Sequence, residues 1–265
     1  MTTRPVSQRI ADDLRRDIQS GRLRPGAILP SERELIGQYR TTKSSVSKAV
    51  AALRSEGLLT SQPGRGVFVR TTRQRVRRHH SERYQWEKDR VNLPDGEREK
   101  SGATEYDTGL EMTNLDFRAR YSTVDAPEEL ADRFGVASGT RLLQREYWTS
   151  SHAEHSPLNL VRSYLLYAMV AANPDLLNQE NEPWPGGTQH QLSTIGVELD
   201  RIVDQITARP PLPEEMETLD IEPGVSVLEL HKISIDTVGR VVEISDVVMP
   251  GDRTEIVYTT HLRRW

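Results

Sequence analysis

The chain has 265 residues, 35% of them hydrophobic and none of them cysteine, which allows two packed domains and excludes disulfides, thiol chemistry and thiolate metal sites. Its net charge of −4 hides an asymmetry: residues 1–80 carry 17 Lys and Arg against 6 Asp and Glu, or +11, leaving 18 against 33, or −15, for the remainder. No run nears the ~18 consecutive apolar residues of a membrane span, and the opening MTTRPVSQRI lacks the apolar stretch of a signal peptide, so a cytoplasmic protein with a polyanionic partner for its basic third is expected.

Apolar residues at Val6, Ile10, Leu14 and Ile18, with Ala11 beside them, recur at helical spacing until Gly21 and the Pro25-Gly26 turn. Ser31-Glu32-Arg33-Glu34 reads as a capping box, Ser31 opening a short second helix and Glu34 reaching back to the Ser31 amide. A third helix begins near Thr42, buries Val46, Ala49, Val50 and Leu53, and is capped by Gly57. Leu58-Leu59-Thr60 and Val67-Phe68-Val69 then flank Gln62-Pro63-Gly64-Arg65-Gly66, two short strands about a glycine-rich turn. Residues 71–104 lose the periodicity; with Arg73, Arg75, Arg77, Arg78 and Pro94-Asp95-Gly96 they read as a linker on which Tyr84 and Trp86 are apolar enough to dock.

Residues 105–265 read as one domain with an internal echo. Ala126-Pro127-Glu128-Glu129 opens a helix closed by Gly135, followed by Gly139, the strand Leu142–Arg145 and the strand Asn159–Ser163. Leu212-Pro213-Glu214-Glu215, Gly224, Val227–Leu230 and Val241–Ser245 repeat the series, offset by 86 at the Glu-Glu pairs, 85 at the glycines and 82 at the serines. Two copies of helix, strand, turn and strand predict a duplicated α/β unit on antiparallel strands. Between them lie a helical stretch Tyr167–Leu177, the loop Glu182–Gly187, a helix through Gln191-Leu192 and a strand Leu199–Ala208; a last strand Ile256–Leu262 is expected to finish the sheet.

Three helices and a hairpin in a basic segment are the anatomy of a winged helix, whose third helix enters the major groove while the hairpin follows the backbone. The start of that helix presents Thr42, Lys43, Ser44, Ser45 and Ser47, with Lys48 next to them: hydroxyls for phosphates and a lysine, Lys43, able to donate to a guanine edge. Arg33 faces the same groove, and Gly64 and Gly66 let the wing close while Arg65 projects. Leu29–Leu35, Ala52–Leu59 and Gly64–Val69, in this order and spacing, resemble the GntR-family DNA-binding domain. The resemblance implies that Arg33, Lys43, Ser45, Ser47 and the Gly64–Gly66 wing contact a double-stranded, palindromic operator. The family usually has Arg where Lys43 and Ser47 stand, and Val-Ser at Thr41-Thr42, so a shifted operator preference is expected.

Residues ~115–262 resemble the UTRA domain of the HutC subgroup, an effector-binding and dimerising fold related to chorismate lyase with a mainly antiparallel sheet; the Pro-Glu-Glu-Leu-Ala helix, Leu142–Tyr147, Pro157 to Leu165, and Val242-Glu243 through Arg253 carry the likeness. Ser81-Glu82-Arg83-Tyr84 is similar to actinobacterial members that include regulators of plasmid transfer. The likeness implies an α+β protein with domains 1–70 and 105–265, acting as a homodimeric repressor released by a small molecule. It implies an effector pocket formed by Arg145 and Tyr147, by Arg162, Ser163 and Tyr164, by Thr188 and His190, and by Glu243 and Ser245, with Arg145 on an anionic group. Val161, Tyr147 and Met249 depart from frequent glutamate, arginine and tyrosine, so a larger or more apolar ligand is expected. Arg145 and Glu243 as a structural ion pair is the competing reading.

The seven histidines show no metal-ligand spacing with carboxylates, and the chain offers no nucleophile, oriented base or cofactor fingerprint. A small-carboxylate enzyme and a ligand-independent dimeric repressor are the rival functions.

Overall fold

The computed structural model describes residues 4–62, 64–71, 75–152 and 157–263; Pro63 of the expected wing turn, Arg73 and His155 lie outside them. Two compact units form: Met1–Gln74 with Pro210–Met216 and Ile221–Ser226, and Arg75–Arg209 with Glu217–Asp220 and Val227–Trp265.

In the first unit, α1 (Val6–Gln19), α2 (Glu32–Tyr39) and α3 (Lys43–Ser55) precede the antiparallel hairpin of β1 (Leu59–Gln62) and β2 (Gly66–Val69). The expected apolar faces meet in one core, with Ile10, Leu14, Leu35, Val46, Ala49 and Leu53 buried. The capping box forms: the Ser31 Oγ accepts from the Glu34 amide at 3.3 Å and the Glu34 carboxylate accepts from the Ser31 amide at 2.7 Å. Arg15 on α1 grips Glu56 just past α3 with two bonds of 2.6 and 2.8 Å, tying the first helix to the end of the third. In this unit Gly224 adopts φ +90°, and a Cβ there would fall 2.4 Å from the Ser55 carbonyl oxygen, so only glycine fits.

The second unit opens with β3 (Val76–His79), α4 (His80–Asp89), α5 (Asp95–Arg98) and α6 (Ala103–Thr108). The segment expected as a linker is thus folded. Its charges pair along the helices, Arg83 with Glu87 and with Asp107, while Trp86 stacks on Tyr106 at 4.4 Å and lies under the Arg90 guanidinium. Lack of periodicity misled the sequence reading because the buried face is built from arginines and aromatics rather than aliphatic residues.

Then come β4 (Leu115–Asp125), α7 (Glu128–Phe134), β5 (Arg141–Ser151), β6 (Pro157–Leu166), α8 (Tyr167–Val170), α9 (Gly187–Ser193), β7 (Leu199–Arg209), α10 (Pro213–Thr218), β8 (Val227–Asp236), β9 (Val241–Pro250) and β10 (Thr254–Val257). Six strands form one antiparallel sheet in the order β4-β5-β6-β9-β8-β7. That order reads as two three-stranded halves back to back, β4-β5-β6 and β7-β8-β9, each with a helix between its first and second strands. Ser163 and Ser245, the residues equated by the sequence echo, are direct partners across the central β6–β9 pair. Strand β4, not foreseen, is the first-copy counterpart of β7. The last strand is a correction: β10 is short and pairs in parallel with β3 in a separate two-stranded sheet instead of extending the large one.

Candidate DNA interface and effector cavity

Helix α3 owes its start to Thr42, whose hydroxyl accepts from the Ser45 amide at 3.3 Å. Thr42 and Ser45 therefore hold each other, their oxygens 3.2 Å apart, while Lys43, Ser44, Ser47 and Lys48 are exposed on the side opposite Val46, Ala49 and Leu53. Ala51, one turn on, is exposed in the same line and was passed over; its methyl suits a thymine methyl. The Lys43 ammonium lies 3.3 Å from Glu32, an exposed pair that must open before Lys43 can reach a base. Arg33 and Arg65 are exposed, and the Arg65 guanidinium stands 6.0 Å from the Phe68 ring. Gly64 and Gly66 both take positive φ, +72° and +122°, which is what lets the chain reverse at the wing.

The second unit bears a half-open cavity of about 340 Å³ between the inner face of the sheet, the 182–191 segment and the folded strap of residues 78–107. The strap is fastened by the Gln189 amide, which donates to the Tyr84 carbonyl at 2.9 Å, and by Lys88, which donates to the Leu199 carbonyl at 2.6 Å. Strand register organises the floor in rows. One row runs Tyr121, Arg145, Ser163, Ser245, Lys232, Asp204 across all six strands, polar throughout. The next inward-facing row runs Ala119, Tyr147, Val161, Val247, Leu230, Ile206, with one hydroxyl in it.

Glu243 is the hub of the polar row. It is buried and accepts from Arg145 at 3.0 Å, Ser163 at 2.8 Å, Ser234 at 3.0 Å and Ser245 at 3.2 Å, with the Lys232 ammonium at 2.8 Å. Burial alone would push its carboxyl up; Lys232 and Arg145 overcome that and hold it at about 2. Arg145 also donates to Gln191 at 2.6 Å and to Thr188 at 3.3 Å. A second carboxylate, Glu182, accepts from the hydroxyls of Tyr121 and Tyr147, from the Gln191 amide and from the Trp184 backbone.

Of the residues expected at an effector, Tyr147, Ser163, Thr188, Glu243 and Ser245 border the cavity. Arg145 lies behind them and donates to four side chains, Gln191, Ser163, Thr188 and Glu243. Arg162 and Tyr164 flank Ser163 on β6 and project from the other face: Arg162 bonds Glu146 at 3.2 Å, and Tyr164 packs with the α7 cluster. His190 accepts from the Trp184 indole at 2.8 Å, and burial, helped by Arg98, keeps its imidazole below the usual value. Lys232, Glu182, Gln191 and Asn159 were missed. Lys232 matches Arg145 by register, facing Ser245 as Arg145 faces Ser163, but sits 13 residues before its serine rather than 18. The unequal hairpins hide the equivalence in the sequence.

Residues 6–69 match the model of the gntR family of bacterial regulatory proteins, and residues 119–255, more than half the chain, match that of the UTRA domain. An HTH-type transcriptional regulator of Streptomyces coelicolor is 27% identical over 94% of this chain and 90% of its own. The HTH-type transcriptional repressor NagR of Bacillus subtilis is 23% identical over 96% and 94%. The crystal structure of a GntR-family transcriptional regulator superposes with a TM-score of 0.69 at 25% identity, covering 98% of this chain and 99% of that one. A winged helix with an exposed, hydroxyl-rich third helix, joined in one chain to a six-stranded sheet bearing a cavity, is thus found in regulators rather than enzymes, and the chain belongs to the UTRA-domain family as a GntR-type, DNA-binding transcriptional regulator of HutC architecture.

Proposed function

We propose that the protein is a cytoplasmic repressor that binds a palindromic operator as a homodimer and releases it when a small molecule enters the sheet cavity. The observation that carries this reading is the coexistence of an exposed α3 face and a half-open cavity of about 340 Å³ bordered by polar, aromatic and aliphatic side chains. One winged helix makes few base contacts, so specific affinity calls for two half-sites and a two-fold pair of chains. The outer face of the sheet, where Val203 is 40% exposed beside its cross-strand partner Ile233, is a candidate surface for the second copy. Repression is supported by the name of the Bacillus subtilis relative. The effector-binding part starts at residue 75 in this proposal, because the strap is a wall of the cavity.

Selection from random duplexes with the full chain tests the reading, combined with sedimentation of the complex. Two inverted half-sites occupied by two chains are expected. A single asymmetric site held by a monomer would overturn the dimeric part. A metabolite panel that neither stabilises the chain nor lowers operator affinity would favour the ligand-independent repressor.

A further inference from the structure

We infer that the cavity takes an uncharged molecule with an apolar body and a hydroxyl or carbonyl at one end, an inference that rests on reading the cavity as the effector site. The charges around it balance in number. Five cationic and six acidic side chains border it, and Arg145 immediately behind supplies the sixth cation. At the floor, Arg145 and Lys232 share Glu243. Glu182 is surrounded by four donors, two of them tyrosine hydroxyls. On the strap, Arg83 meets Asp107 and Glu87, and Arg98 meets Asp95 and two backbone carbonyls. A ligand bringing net charge would unbalance this set, and at the floor it finds no counter-ion outside these pairs, where an unpaired buried charge costs more than a hydrogen bond returns. Arg78 and Arg90 border the cavity with no carboxylate in ion-pair reach among the described residues, and spend donors on the Tyr84 hydroxyl and the Arg98 carbonyl.

The two-fold character of the sheet shows where the apolar body lies. Because Ser163 corresponds to Ser245, Val161 corresponds to Glu243, two residues earlier on its strand. In one half the carboxylate fills the space between two cations. In the other, Val161 stands there between Tyr147 and Val247, and the floor remains open and apolar, with Phe117 next to it on the cavity wall. Lys232 gives Glu243 one contact of 2.8 Å, and an ammonium carries three donors, so it can also meet a carbonyl. Asn159 and Ser245 border the same space and can serve a hydroxyl. The volume is at the lower end of the roughly 300–1,000 Å³ of ligand pockets.

Calorimetry on the full chain at neutral pH tests this with three probes on one skeleton: 5-phenylpentanamide, 5-phenylpentanoate and 5-phenylpentylammonium. The amide is expected to bind at least about tenfold more tightly than either ion, a difference of about 1.4 kcal/mol. Val161→Trp, or Val161→Phe if the larger ring impairs folding, should abolish that binding. Val161→Glu, which adds one negative charge to a balanced site, should move the preference to the ammonium. If an ion binds most tightly and Val161→Trp removes it, the charge inference falls while the cavity remains the site. Binding that is indifferent to both fillings overturns the cavity as the site. A wild-type chain that takes none of the probes at about 1 mM overturns the inference as well.

Discussion

The exposed face of α3 and the polar row of the sheet both hold cations and hydroxyls, yet they are organised in opposite ways. On α3 the side chains lie in water and keep their hydrogen-bonding capacity for a partner; the Lys43 ion pair with Glu32 is 76% and 43% exposed and easily opened. In the sheet, Arg145 and Glu243 are 1% and 2% exposed and bind each other. A residue type therefore does not announce its role. Solvent around it decides whether a charge is available or already committed.

That contrast can be broken most forcefully at the hub. Glu243→Ala leaves two cations without their carboxylate and should destabilise the chain by about 3–5 kcal/mol, read as a lowered midpoint in urea. Protonation does the same by titration. The Glu243 carboxyl is held at about 2 against an ordinary 4.5, so its pairing stabilises fully above the ordinary value and is lost as pH falls through the folded one. Melting curves should therefore fall between pH 4.5 and 2, and by less in Glu243→Gln, which has lost this titration. Equal acid sensitivity in both proteins would deny Glu243 that role.

On the exposed side effects should be smaller and confined to DNA. Lys43→Ala should cost about 1–3 kcal/mol on the preferred operator and relax discrimination at one position, with unchanged urea stability. Full discrimination by the variant in a competition assay would remove Lys43 from the base-reading set. Thr42→Ala touches both sides of the comparison, since the hydroxyl caps the helix; about 1 kcal/mol of stability should go, and operator affinity with it. The smallest effect is expected at Glu32→Gln, worth about 0–1 kcal/mol in stability. It should nevertheless tighten DNA binding modestly by releasing Lys43, and weakened binding in a filter assay would show that the pair positions Lys43 instead.

The sequence by itself determined the head and the plan of the sheet. Helical periodicity, the Ser31–Glu34 box and the Gly64–Gly66 wing are local signals, read within one turn of backbone, and they stand in the structure where the spacing placed them. The duplication was legible for the same reason, as Ser163 and Ser245 could be equated before their pairing was visible. Strand β4 was legible too, in the alternation of Leu115, Phe117, Ala119 and Tyr121 with charged neighbours, and was overlooked. Only the tertiary structure decided the rest. Period-two geometry sends Arg162 and Tyr164 away from the face that Ser163 occupies, and that face is known only once the sheet has a covered side. The strap of residues 78–107 became a wall because its arginines and aromatics found partners far along the chain, such as Tyr84 with Gln189 across 105 residues. The pairing of Arg145 with Glu243 is likewise tertiary, because Glu243, 98 residues away, is brought to 3.0 Å by strand pairing alone.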